Sequence, residues 1–313
     1  MEMSAGWIIG VSVLNLFLAL ALSPLLEGCG RKLRAMVHSR IGPPVIQPYY
    51  DLAKLLGKED LRSSPNPLIR IAPLACLVSV AIAALLVPMG AFQASTRTFE
   101  PPLGAYGDAI LFIYCLTLAV VATIVTGAAS ENPFAFVGAS REMMMHLTVE
   151  PVLAIALITA AINAGSFRMG DMVFWYHAHG PNPSMILAAG FFFLALQAQV
   201  GKLPFDIPEA EQEVMGGMFI EQSGAQYALL RWSLMAKQVV FCSVFCQIFV
   251  PWPMVGHIAW DVLINLAKVF VLVLIIALID VVNPRLRIDQ AVRYYLHVGF
   301  FSLSAIFIAL AGF

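Results

Sequence analysis

Apolar runs of about twenty residues recur along the chain, separated by polar stretches, with no strict two-residue alternation inside them. A bilayer core about 30 Å thick is crossed by roughly 20 apolar residues of helix. About eight runs qualify, near residues 6–27, 70–90, 107–128, 144–164, 184–201, 232–252, 259–281 and 290–312. Ten-residue segments of alternating hydropathy, which would signal a membrane β-barrel, are missing. The sequence therefore predicts an all-α polytopic membrane protein, a single integral domain over residues 1–313, with two long polar segments at 31–69 and 202–231. No repeat of 20–50 residues and no inverted repeat is visible, which counts against a secondary transporter.

Lys and Arg near helix ends stay on the cytoplasmic side. Between the first two runs lie Arg31, Lys32, Arg34, Arg40, Lys54, Lys58, Arg62 and Arg70, and later loops of the same side add Arg141, Lys202, Arg231, Arg285, Arg287 and Arg293. The opposite side has Arg97 and Arg168. Fourteen against two predicts a prokaryotic inner-membrane protein with both termini outside and the long loops in the cytoplasm. Met1 to Gly6 has no basic residue ahead of the first run, so that run reads as an uncleaved span.

Composition fits the same solvent. The chain is 60% apolar and 12% charged, against about 45–50% and 25% in soluble domains. With 18 basic and 19 acidic residues it cannot coat itself for water, and a net charge of −1 without a basic stripe excludes a nucleic-acid partner. Cys29, Cys76, Cys115, Cys242 and Cys246 form no Cys-x-x-Cys pair. A disulfide framework, a thiolate metal site or a bound cofactor is therefore not expected on this chain.

The segment 31–69 opens basic, turns at Arg40-Ile41-Gly42-Pro43-Pro44, and then has helical spacing, with Ile46, Tyr49, Tyr50, Ala53 and Leu56 on one face and Gln47, Asp51, Lys54 and Lys58 on the other. Such a helix reads either as an interfacial anchor or as a docking platform held by the rigid turn. Candidate docking residues are Arg40, Gly42, Pro43, Tyr49, Tyr50, Asp51, Lys54 and Asp206. The segment 202–231 gathers Asp206, Glu209, Glu211, Glu213 and Glu221. Asp206-Ile207-Pro208-Glu209 reads as a helix start capped by Asp206, with Glu209 and Glu213 sharing a face and Gly216-Gly217 ending the helix. These carboxylates are either solvated surface or, buried against the spans, groups able to pass protons near neutral pH.

An ionisable group at membrane depth is costly and usually functional. Glu142, His146 and Glu150 recur every fourth residue and so form one stripe able to relay a proton. Lys237 falls in the sixth run; Asp261, Asn265 and Lys268 share a face of the seventh. Together they outline a hydrophilic axis across the fourth, sixth and seventh runs.

Three stretches carry a family resemblance: Arg40-Ile41-Gly42-Pro43-Pro44 with Gln47-Pro48 and Asp51-Leu52-Ala53-Lys54-Leu55-Leu56; Gly138-Ala139-Ser140-Arg141-Glu142 with Val149-Glu150-Pro151; and Gly201-Lys202-Leu203-Pro204-Phe205-Asp206 running into Glu209-Ala210-Glu211-Gln212-Glu213. Over nearly its whole length the chain resembles the membrane-anchor subunit that respiratory complex I shares with energy-converting [NiFe]-hydrogenases. The short turn after Ile41, the Gly-Ala-Ser-Arg-Glu run and Lys237-Gln238 resemble the hydrogenase branch, of the formate hydrogenlyase, Ech or CO-linked type. One departure stands out: the family's Glu-Tyr-Ser-Gly is Glu221-Gln222-Ser223-Gly224 here.

The resemblance implies a subunit of an oxidoreductase complex without a catalytic or redox centre of its own. The NiFe centre and iron–sulfur clusters would lie on hydrogenase large and small subunits and an iron–sulfur protein docked on segments 31–69 and 202–231. Antiporter-like membrane subunits would translocate H+ or Na+ in the lipid bilayer beside it. Rival readings are a quinone-chamber subunit of complex I, a stand-alone ion transporter centred on Glu150 and Lys268, and a di-haem cytochrome. The last lacks paired histidines in spans, since His38, His177, His179 and His257 read as loop residues and leave only His146 and His297.

Overall fold

In lipid a backbone N–H finds no partner except the carbonyl four residues back, so each apolar run folds as helix. The computed structural model describes residues 5–61, 66–87, 108–253 and 258–312. In chain order the helices are α1 (Ala5–Val37), α2 (Gln47–Leu56), α3 (Leu68–Leu86), α4 (Ala109–Ala128), α5 (Pro133–Ala164), α6 (Met169–His179), α7 (Pro183–Gln199), α8 (Glu211–Val214), α9 (Gly224–Phe249), α10 (Ile258–Val282) and α11 (Ile288–Leu310). Among the described residues seven are long and apolar enough to cross a membrane; α7 is apolar but shorter, with 17 residues. The eight predicted runs thus all fold as helix. Arg62, Arg97 and His257 lie outside the described residues.

α9 is the centre of the bundle. Its apolar window is 83% buried, against 33% for α10, although α10 is much the more hydrophobic. A helix wrapped in protein can carry Lys237, Gln238, Ser243 and Gln247, all buried here. One facing acyl chains cannot. α9 packs on α1, α2, α3, α6, α7 and α10, while α4, α7 and α11 pack on α5.

Two helices overrun their apolar runs. α1 continues ten residues past 27, so Arg31, Lys32 and Arg34 sit on helix, where Arg31 pairs with Glu27 one turn back at 3.3 Å. α5 starts at Pro133, eleven residues before 144, because Asn132 accepts the Phe134 N–H at 3.0 Å and Pro133 needs no partner at the first turn. α6 was not expected: its apolar residues are broken by polar ones, and it places His177 and His179 on helix instead of in a loop.

The acidic segment corrects the predicted cap. Asp206 does not sit at the helix start: its carboxylate accepts from Arg285 at 2.7 Å, and helix begins only at Glu211, with Ala210 in the cap position. Glu209 and Glu213 therefore share no helical face. The glycines do end α8, with Gly216 at φ 94° and Gly217 at φ 56°. Gly217 also packs on Gly138 of α5: a Cβ on Gly138 would come within 2.8 Å of the Gly217 Cα. The Gly-Ala-Ser-Arg-Glu run thus starts with a glycine because the acidic loop crosses α5 there.

The turn at Arg40–Pro44 folds back along α1, and Gly28 makes room for it, since a Cβ there would meet the Val45 carbonyl at 1.9 Å. On α2 the buried residues are Pro48 and Leu52, about a third of a turn from the centre of the predicted apolar face. Tyr49 donates its hydroxyl to the Ala21 carbonyl, and its burial pushes the phenol's pKa up. Tyr50, at 65% exposure, faces outward with Ile46 and Leu56.

Candidate functional site

The stripe on α5 is met by the central helix. Lys237, only 5% exposed, lies where its charge acts on both Glu142 and His146. His146 Nε2 is 3.3 Å from Glu150 Oε2, and its Nδ1 is 3.4 Å from the Gln199 amide. Beyond it, Thr117 Oγ1 lies 2.5 Å from Glu150 Oε1 and 2.9 Å from the Ile113 carbonyl. The hydroxyl has one proton for those two acceptors. The four-residue spacing thus puts Glu142, His146 and Glu150 in one stripe, and His146, Glu150 and Thr117 are in direct contact.

At the end of the bundle rich in Lys and Arg lies a polar cavity of about 170 Å³ between α1, α9, the end of α10 and the loop after α7; Gln238, next to Lys237 on α9, lines it. Opposite charges line it. Glu27 is held by Arg31 at 3.3 Å and Lys202 at 2.5 Å; Asp280 takes Arg34 and the Leu203 N–H at 2.9 Å; Arg231 lies 3.6 Å from Glu209. The Leu286 N–H donates to the Pro204 carbonyl at 3.0 Å, so the loop is pinned on both sides.

Glu209 is the group whose proton affinity stands apart. Burial pushes its pKa up to about 7; the Arg231 and Lys202 charges pull it down, and Asp206 and Glu142 push it up further. Its side chain keeps 30% of its surface in the cavity wall.

The other predicted site residues lie elsewhere. Glu213 is exposed and pairs with Arg141 at 2.6 Å; Glu221 accepts from Asn132 at 2.7 Å; the Glu211 side chain lies outside the described part. Asp261 and Asn265 are buried on one face of α10. Lys268 donates to the Val250 and Pro251 carbonyls at 2.8 and 2.9 Å, closing the far end of α9. Among the described residues the side-chain contacts of the stripe link His146, Glu150 and Thr117, and the hydrogen bonds of Lys268 go to backbone carbonyls.

Among the docking candidates, Asp51 binds Arg31 at 3.3 Å and Gln47 at 3.0 Å, so it anchors α2. Arg40, Pro43, Tyr50 and Lys54 are exposed, and Gly42 lies against Ala35. Ser223 exchanges bonds of 2.9 and 3.1 Å with the Leu61 backbone, clasping the end of the first segment to the start of α9. Gln222, in the tyrosine position of the resemblance, is buried with no partner for its amide among the described residues.

Glu27, Arg34 and Asp280 were missed. Asp280 did carry a signal, being a lone acid in the apolar run Ile275–Val282. Glu27 and Arg34 flank a span end, where charges are ordinary.

Comparison with known proteins places this geometry. Residues 9–311 match the NADH dehydrogenase family model. Formate hydrogenlyase subunit 4 of Escherichia coli (strain K12) is 33% identical over 87% of this chain and 89% of its own length. Hydrogenase-4 component C of the same organism is 36% identical over 79% and 76%. A chain of the membrane-bound sulfane sulfur reductase, an archaeal respiratory membrane complex, superposes with a TM-score of 0.85 at 26% identity, covering 96% of this chain and 99% of that one.

Proposed function

The chain belongs to the NADH dehydrogenase family, and from that membership we propose that it is the membrane-anchor and proton-path subunit of a membrane-bound [NiFe]-hydrogenase complex. The observation that carries this reading is the half-buried row Glu142, His146 and Glu150 with buried Lys237 on α9, the helix that also lines the cavity whose Glu209 titrates near neutral pH. The identity to two hydrogenase relatives gives the reading its chemistry. The NiFe centre and iron–sulfur clusters belong in this reading to peripheral partners seated on the exposed face of α2 and the acidic loop, on the cytoplasmic side that the basic residues mark. Antiporter-like subunits carry H+ or Na+ alongside.

The chain's own part is to hold and pass protons. Glu209 takes a proton at the cavity, Glu142 receives it beside Lys237, and His146 and Glu150 carry it inward. Buried Lys237 offsets the carboxylate charge left behind, which is what makes a charged intermediate tolerable at that depth.

Glu150→Gln keeps the hydrogen bond to Thr117 but removes the titrating group. Hydrogen evolution with an artificial electron donor should stay near wild type, while ion uptake into vesicles falls by about a hundredfold or more, the usual scale for losing one proton-transfer group. Parallel loss of both activities would point to failed assembly and end the relay reading. The quinone-chamber reading keeps the same cavity, and quinone-dependent turnover by the purified complex would favour it.

A further inference from the structure

Two hollows at the arginine-rich end of the bundle take no part in the proton path. One, of about 520 Å³, lies between α5 and the start of α11, with Met143, Met144 and Val292 beside Arg141, Arg293 and Asp289. The other, of about 240 Å³, shares Arg141 and Asp289 with it and adds Arg285 and Arg287. Four arginines thus meet two carboxylates, Glu213 and Asp289. Arg141 is matched by Glu213 and Arg285 by Asp206. Arg287 and Arg293 are exposed and have no ion pair among the described residues.

Away from the arginines the same helix faces turn apolar. Leu147, one turn on from Met143, is 61% exposed, and Leu296 and Phe300, one and two turns on from Val292, are 60% and 74% exposed. Positive charge at one end and an apolar track along two packed helices match an amphiphile with an anionic head.

We propose that this groove binds an anionic phospholipid of the inner leaflet, its phosphate at Arg287 and Arg293 and its acyl chains along Met143, Leu147, Leu296 and Phe300. The leaflet follows from the basic bias used above. The site needs neither the hydrogenase reading nor the proton path.

The test is native mass spectrometry of the full chain released from nanodiscs of equal parts phosphatidylcholine and phosphatidylglycerol. Phosphatidylglycerol should be retained in preference, and Arg287→Gln with Arg293→Gln should cut that preference by about fivefold per arginine. Lys32→Gln with Arg70→Gln, two exposed cations elsewhere on that end, should leave it unchanged. Should the arginine pair fail to fold, Val292→Trp fills the groove with both charges in place and should lower retention too. The proposal is overturned by equal retention of the two lipids, by an equal loss in the Lys32/Arg70 control, by undiminished retention in Val292→Trp, or by displacement with inorganic phosphate, which would mark a free-anion site.

Discussion

Two opposed demands meet on Glu209. Burial favours its neutral form, Arg231 its charged form, and burial wins to the extent of moving the carboxyl from the usual acidic range to about 7. The carboxyl is protonated below that pH and charged above it. Since the folded pKa is the higher one, the group's contribution to stability is intact below its unfolded value and declines as pH rises through neutrality. Thermal unfolding of wild type and Glu209→Gln across pH 5 to 8 should show wild type losing ground to the variant as pH rises. Ion movement should in parallel lose its dependence on pH near 7. A difference constant with pH would remove Glu209 from the path. Lys268 makes the contrasting case. Its two bonds to backbone carbonyls give it a structural task at the end of α9. Lys268→Met should cost about 1–3 kcal/mol in stability and leave ion movement per folded complex unchanged; loss of ion movement without loss of stability would return Lys268 to the relay.

At the scale of elements, α2 divides its labour by face. Pro48 and Leu52 pack inward, Tyr49 ties the helix to α1, and Asp51 ties it to Arg31. Tyr50, with Ile46 and Leu56, is left facing outward. The two tyrosines, equivalent in the sequence, should therefore fail differently. Tyr50→Ala should release peripheral partner proteins during purification while the membrane subunit keeps its melting temperature. Tyr49→Ala should lower that temperature first, because a buried hydroxyl bond and its packing are lost. A complex that stays whole with Tyr50→Ala would remove α2 as the docking face. The spacing of Ile46, Tyr49, Tyr50, Ala53 and Leu56 foretold that a helix forms here, but period alone does not say which of two apolar flanks meets α1 and α9.

For the whole molecule, the cavity exists because residues far apart in the chain neutralise one another. Arg34 and Asp280 are separated by 246 positions, Glu27 and Lys202 by 175. Asp280 also holds the Leu203 N–H, so it fastens the loop bearing Glu209 to α10. Asp280→Ala would leave Arg34 without that carboxylate and the Leu203 N–H without its acceptor. Amide exchange over residues 200–210 should then rise by about tenfold or more, since one charged hydrogen bond is worth on the order of 1.5–3 kcal/mol. Exchange at the wild-type rate would show the loop to be held by other contacts.

The sequence by itself determined what is local. Apolar length gave the spans, four-residue spacing put Glu142, His146 and Glu150 in one row, Gly216-Gly217 marked a stop, and lipid's intolerance of charge marked Lys237. Solvent and helical period act on neighbouring residues, so these features need no knowledge of the rest of the chain. Only the tertiary structure decided which charges meet. It paired Asp206 with Arg285 instead of a helix end, brought Glu27 and Asp280 to the cavity, and set Lys268 against carbonyls just past α9. Charge pairing depends on distance in space, and the helices that bring these groups together are folded across hundreds of residues that carry no trace of the pairing in their order.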